Sequence, residues 1–200
     1  NDPPLALENP DKYVDLHTIA RECDVITFHT PLTREGEFPT YHLADEEFFK
    51  TLQENNPNNT PSLIINAARG GIINENALLS HLSQLSNIAI DCWDGEPETN
   101  SELRQRALIA TPHIAGYSAD GKLNATQQVV QAVAKALNIT PNTIEGLSEK
   151  KTTDKEGDEL KDELLNNYNI LADSDALKAE PEKFEYFRSN YPVRRELNLI

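Results

Sequence analysis

"SLIINAARGGIINENALLSHLSQLSNIAIDCW", Ser62–Trp93, decides the fold. Two short runs of Ile, Leu and Ala, "SLIINA" (Ser62–Ala67) and "IAIDCW" (Ile88–Trp93), flank an amphipathic, helix-like segment, "NENALLSHLSQL" (Asn74–Leu85). The runs lack period-two alternation, as expected of strands covered on both faces. Asn74 stands where an N-cap belongs. A strand, a helix and a strand joined by short links form a crossover unit, so the two strands lie parallel.

The same alternation extends outward. "DVITFH" (Asp24–His29) and "ALIAT" (Ala107–Thr111) are two further strand candidates. "LHTIARE" (Leu16–Glu22) and "LADEEFFKTL" (Leu43–Leu52), the latter with Asp45 as cap, are two further helices. "QENNPNNTP" (Gln53–Pro61) is a polar connecting loop, and "LNATQQVVQAVAKALNI" (Leu123–Ile139) one long helix ended by Thr140–Pro141. Composition shifts after Gly146, where residues 147–163 form a charged, strand-poor run that suits a linker or solvated face. A small module follows. In it Phe184, Phe187 and Tyr191 fall on one helical face, which predicts an oligomerisation surface unless that face folds back on its own domain.

The 200 residues carry a net charge of −15, which opposes non-specific nucleic-acid binding. An anionic ligand would therefore need local positive charge. No apolar run reaches the roughly 18–20 residues that span a bilayer. Cys23 and Cys92 form neither a CxxC motif nor a zinc spacing with histidine, so no metal site is expected and a reducing compartment, the cytoplasm, fits. There is no methionine and no strand-forming room before "NDPP", so the chain reads as a piece of a longer polypeptide.

Three residues follow three of the strand candidates: Arg69 after "LIINAA", Glu96 after "IAIDCWDG" and His113 after "ALIATP". Ligands of open α/β sheets sit beyond the carboxyl ends of the strands. Each residue has an ordinary structural reading as well: a glycine-permitted turn, a surface turn acid, a hydrogen-bonded core histidine. Together they suit hydride transfer at a carbinol carbon. A histidine carries the hydroxyl proton, a carboxylate beside it orients the ring and favours its charged form, and an arginine clamps a substrate carboxylate.

"HTPLT" (His29–Thr33), "INAARGGIINENAL" (Ile65–Leu78), "DCWDGEPE" (Asp91–Glu98) and "TPHIAGYS" (Thr111–Ser118) resemble, in order, the motifs of the D-isomer-specific 2-hydroxyacid dehydrogenases. The resemblance covers about residues 2–137 and implies an α/β fold: a partial Rossmann-type parallel sheet with flanking helices, plus a small C-terminal α+β dimerisation module. It assigns residues 1–118 to the C-terminal part of an NAD-binding domain, 119–146 to a helix returning toward a substrate domain, and 147–200 to the dimerisation module. It makes Arg69, Glu96 and His113 catalytic, with NAD as cofactor. Asp2, Thr30, Asp91 and Gly116 become NAD contacts and Tyr117 a substrate contact. The long stretch after "HTP" and the Tyr of "HIAGY" imply a phosphorylated hydroxy acid as substrate, and the tail "EKFEYFRSNYPVRRE" (Glu182–Glu196) implies a homodimer; charge and hydropathy give no nucleic acid or membrane partner. A non-catalytic NAD-sensing protein or another 2-hydroxyacid dehydrogenase are the alternatives. A purely structural oligomerisation fragment is a third. The eight glycines include no GxGxxG turn, which would lie upstream, so this chain alone is expected not to turn over substrate.

Overall fold

The computed structural model describes residues 1–54, 63–81, 87–141, 146 and 149–199. Most of the expected loop at 53–61 and the end of the expected helix at 74–85 lie outside them. Four strands, β1 (Val25–Phe28), β2 (Leu63–Asn66), β3 (Asn87–Ile90) and β4 (Ile109–Ala110), form one parallel sheet in the order β1-β2-β3-β4. The register aligns Ile26, Ile64 and Ile88 in one row and Phe28, Asn66, Ile90 and Ala110 in the next.

Those two rows are buried, while the alternate positions are half-buried or exposed, Val25 at 59% among the latter. This corrects the expectation of strands covered on both faces. The residues themselves are apolar throughout, but packing covers the faces unequally, and no sequence periodicity records that. The buried rows pack with Phe48, Phe49, Leu52, Leu78, Leu103, Leu177 and Phe184 in one core.

Capping residues set the helix starts. α1 (Pro3–Ala6) is capped by Asp2, and α2 (Leu16–Glu22) by Asp15, which accepts the Thr18 N–H at 2.6 Å. α3 (Glu46–Glu54) begins where Asp45 accepts the Phe48 N–H at 3.0 Å. α4 (Glu75–His81) begins where Asn74 accepts the Ala77 N–H at 3.2 Å. Asn100 caps α5 (Ser101–Arg106). Each side-chain oxygen pairs a backbone donor that the first helical turn leaves unpartnered.

The chain divides into two compact units, residues 1–113 with 171–189, and residues 114–170 with 190–200. The first holds the sheet together with most of α8 (Ile170–Ala179) and all of α9 (Phe184–Ser189). Phe184 is 1% exposed in its core and Phe187 packs against that core, so the aromatic face at these two positions is not an oligomerisation surface. It folds back on its own sheet unit, where Ser174 Oγ of α8 also accepts the Ala110 N–H at 2.9 Å.

The second unit contains α6 (Ala119–Leu137), β5 (Lys151–Thr153), α7 (Gly157–Asn167) and β6 (Leu197–Leu199), with β5 and β6 paired in parallel. α6 starts earlier than the periodicity suggests because Ser118 caps it, accepting the Gly121 N–H at 2.8 Å. It ends at Asn138, whose φ of 52° is left-handed, rather than at Thr140–Pro141. The charged run at 147–163 is not a strand-free linker. Glu163 of α7 is only 7% exposed and bonded by Thr153, Lys151 and Lys155, so its charge is answered from within the unit. The strand partner of β5 lies over forty residues away, beyond any local signal.

Candidate active site

The loops after β2, β3 and β4 meet at one end of the sheet. The loop after β2 is organised by Asn66, whose position in the buried row would otherwise suit an apolar side chain. Its amide donates to the carbonyls of Arg69 at 3.0 Å and Cys92 at 3.3 Å, and its oxygen accepts the Ala68 N–H at 3.2 Å. Gly70 then lies against the next loop so closely that a Cβ there would stand 1.9 Å from the Trp93 carbonyl oxygen. Only glycine permits that approach. The Arg69 loop is thereby held against the segment that carries Glu96.

Glu96 follows Gly95, whose φ of 83° makes the turn that L side chains avoid. One carboxylate oxygen of Glu96 accepts the Trp93 N–H at 3.2 Å, and the other lies 2.6 Å from Nδ1 of His113. Both side chains are about one-fifth exposed, so the pair is partly withdrawn from water but open to a ligand. The His113 N–H donates to the Asp91 carbonyl at 2.9 Å, and its φ of 56° is left-handed. A non-glycine residue in that region is strained and held by its surroundings, as functional positions often are.

Two residues that sequence reasoning did not single out support this pair. The Trp93 indole, 1% exposed, donates to the Thr111 carbonyl at 2.9 Å and ties the third loop to the fourth. Asn66 does the equivalent for the second. A tryptophan three residues past a strand, and an asparagine ending an apolar one, were the available signals.

Asp91 is 5% exposed at the end of β3, and its Oδ1 accepts the Thr111 hydroxyl at 2.7 Å. Burial pushes the neighbouring Cys92 thiol well above its usual range, the Asp91 and Glu96 carboxylates adding to the rise and the Arg69 guanidinium opposing it. Cys92 is therefore an inert packing group. Arg69 is exposed and donates to the Ala68 carbonyl at 2.6 Å, with no bond to Glu96 or His113 among the described contacts. Histidine and glutamate are thus joined, while arginine lies on the adjoining loop with its guanidinium on the Ala68 carbonyl.

Asp2 and Thr30 line one pocket of about 220 Å³ with Leu16, Ile19, Ile26 and Leu43. Asp2 caps α1 with one oxygen, accepting the Leu5 N–H at 3.1 Å. The Thr30 hydroxyl is buried with no hydrogen-bond partner among the described residues. Since buried polar groups are nearly always paired, this oxygen points to a ligand. Asn1, Thr27, Phe28 and His29 complete the lining of the pocket, so polar and apolar groups are mixed there. Gly116 and Tyr117 belong to the second unit, where the Tyr117 N–H donates to the Ile114 carbonyl at 2.9 Å.

Residues 3–115 match the family model of the D-isomer specific 2-hydroxyacid dehydrogenase, NAD binding domain. This chain belongs to that dehydrogenase family. Its NAD-binding domain is the part that carries the paired histidine and glutamate, and its cofactor is NAD. An erythronate-4-phosphate dehydrogenase of Bacteroides thetaiotaomicron is 42% identical over 186 residues, covering 92% of this chain and 52% of its own length. One from Ruthia magnifica is 40% identical over 198 residues, covering 98% and 54%. The chain thus spans about half the length of the curated relatives it matches. A glyoxylate reductase structure from Paecilomyes thermophila superposes with a TM-score of 0.54 at 24% identity, covering 68% of this chain and 40% of that one, and it supports the Rossmann-type fold. No helix among the described residues is long and apolar enough to cross a membrane, and no group of three or more metal-binding side chains occurs among them.

Proposed function

We propose that the protein oxidises 4-phospho-D-erythronate to its 2-oxo acid with NAD, in the formation of pyridoxal 5'-phosphate in the cytoplasm. The observation that carries the acid–base part is the 2.6 Å contact between Glu96 and His113 Nδ1. An ionised carboxylate only accepts hydrogen bonds, so Nδ1 carries the proton and Nε2 is left with its lone pair. Nε2 then takes the proton of the substrate's 2-hydroxyl, and Glu96 faces the imidazolium that results. The substrate identity is supported by the names of the relatives and by the motifs shared with them.

Arg69, on the adjoining loop, pairs with the substrate carboxylate in exchange for the Ala68 carbonyl and supplies local positive charge in a chain of net −15. Tyr117 contacts the substrate. The residues fit NAD: Thr30 and Asp2, which line one pocket, would hold the adenosine side, with Asp2 taking the ribose hydroxyls, and Asp91 and Gly116 would contact the remainder. NAD, when bound, accepts the hydride from the carbinol carbon. An acid at position 2 favours NAD over NADP, whose extra phosphate it repels. The homodimer belongs to this proposal too, without the Phe184 and Phe187 face as its support.

The test is NADH formation from 4-phospho-D-erythronate by the protein expressed from its complete natural coding sequence. His113→Ala lowers kcat by roughly 10²–10⁴-fold with NAD affinity unchanged. Parallel loss of NAD binding would make His113 a structural residue. NAD binding with no turnover of any 2-hydroxy acid would make the protein a cofactor sensor.

A further inference from the structure

Within the second unit, the C-terminal segment 191–196 runs alongside residues 114–122. The Arg194 carbonyl accepts the Ala119 N–H at 2.9 Å, and its guanidinium donates to the carbonyls of Ile114 and Ala115. Arg195 bonds both carboxylate oxygens of Asp120 at 2.9 and 3.0 Å. The Glu196 N–H adds a third bond to that carboxylate, and the Glu196 side chain accepts the Ser118 hydroxyl at 2.7 Å. Asp120 is held down to about 2 chiefly by its hydrogen bonds from Arg195, then by the Glu196 N–H, so it is fully charged wherever the protein works.

This fastening has a consequence for one side chain. The Tyr117 ring lies 5.0 Å from that of Tyr191, centroid to centroid, tilted by 54°. The Lys122 ammonium caps both, 4.4 Å from the first ring and 4.6 Å from the second. A tyrosine on an exposed loop would sample several rotamers. Here a neighbouring ring walls one side and a shared cation discourages departure from either face. Tyr191 keeps its place because Arg194 and Arg195, three and four residues on, are tied down.

We propose that Tyr191 and Lys122 are positioning residues for Tyr117, so that the C-terminal segment belongs to the substrate-binding apparatus of the enzyme. The inference rests on the reading of Tyr117 as a substrate contact. It predicts that a residue remote in sequence sets hydroxy-acid affinity without touching the hydroxy acid.

Steady-state kinetics on the protein expressed from its complete natural coding sequence test it. Tyr191→Ala raises the KM for 4-phospho-D-erythronate roughly 10-fold, with the KM for NAD and the melting temperature unchanged. Tyr191→Phe retains the ring and restores the parent values. Lys122→Met, which keeps the stem and loses the cation, raises the same KM about 2–5-fold. The double variant Tyr117→Ala/Tyr191→Ala behaves like Tyr117→Ala alone, because the second ring has nothing left to position. Multiplying effects in that double variant overturn the inference, as does an unchanged KM for Tyr191→Ala when Tyr117→Ala raises it. A larger rise for Lys122→Met than for Tyr117→Ala also overturns it, by assigning Lys122 to the substrate. If Tyr117→Ala itself leaves the KM unchanged, the substrate-contact reading fails first and takes the inference with it.

Discussion

Gly70→Ala places one methyl group at the tightest point of the site. An ideal Cβ there stands 1.9 Å from the Trp93 carbonyl oxygen and 2.4 Å from its carbon. Non-bonded heavy atoms of this kind settle near about 3.5 Å, so the two loops must part by about 1.5 Å. Neither side yields cheaply, since both atoms of the clash are backbone. Trp93 is 1% exposed, bonded through its indole to Thr111 and through its N–H to Glu96. Moving it strains a packed core and loosens the carboxylate that faces His113. Overpacking and one weakened hydrogen bond sum to about 3 kcal/mol of lost stability. A displacement of this size at the reacting groups lowers kcat/KM by at least about 10²-fold. Urea unfolding measures the first and NADH formation the second. Gly146→Ala is the control, because a Cβ there meets nothing within 4 Å. If Gly70→Ala unfolds within about 0.5 kcal/mol of the parent, the close approach does not hold the site together.

Other outcomes follow from single groups. Burial raises the Glu75 carboxyl to about 7, more than the opposing Asp94 N–H lowers it, the Asp94 charge adding to the rise. A raised folded-state value means that the unfolded chain releases the proton first, so stability falls as pH rises from about 4.5 to about 7 and is level above. Glu75→Gln, which keeps the acceptor for Asp94, removes that fall and gains about 2 kcal/mol at pH 8 with no gain at pH 4, read from urea unfolding at the two values. Thr30→Val deletes the buried, unpartnered hydroxyl; unfolding stability holds or rises by about 1 kcal/mol, while titration shows NAD binding weakened about 5–10-fold. Unchanged NAD affinity would remove Thr30 from the cofactor site.

The parallel sheet was legible in the sequence because its signals are local. Ile-rich runs such as "LIIN" and "IAI" fall short of helix length, and Asp45 and Asn74 sit where their helices need a side-chain acceptor. The positions of Glu96 and His113 after successive strands were legible for the same reason, since parallel strands deliver their following loops to one edge. Tertiary structure alone decided which face of each strand is covered, because apolar residues occupy both. It alone sent Phe184 into the sheet's core rather than toward a partner, as a helical aromatic face carries no label for what it meets. The β5–β6 pair, the Arg195–Asp120 bonds and the Tyr117–Tyr191 contact join residues 46, 75 and 74 positions apart. Such contacts are set by how the whole unit closes, which no window of sequence contains.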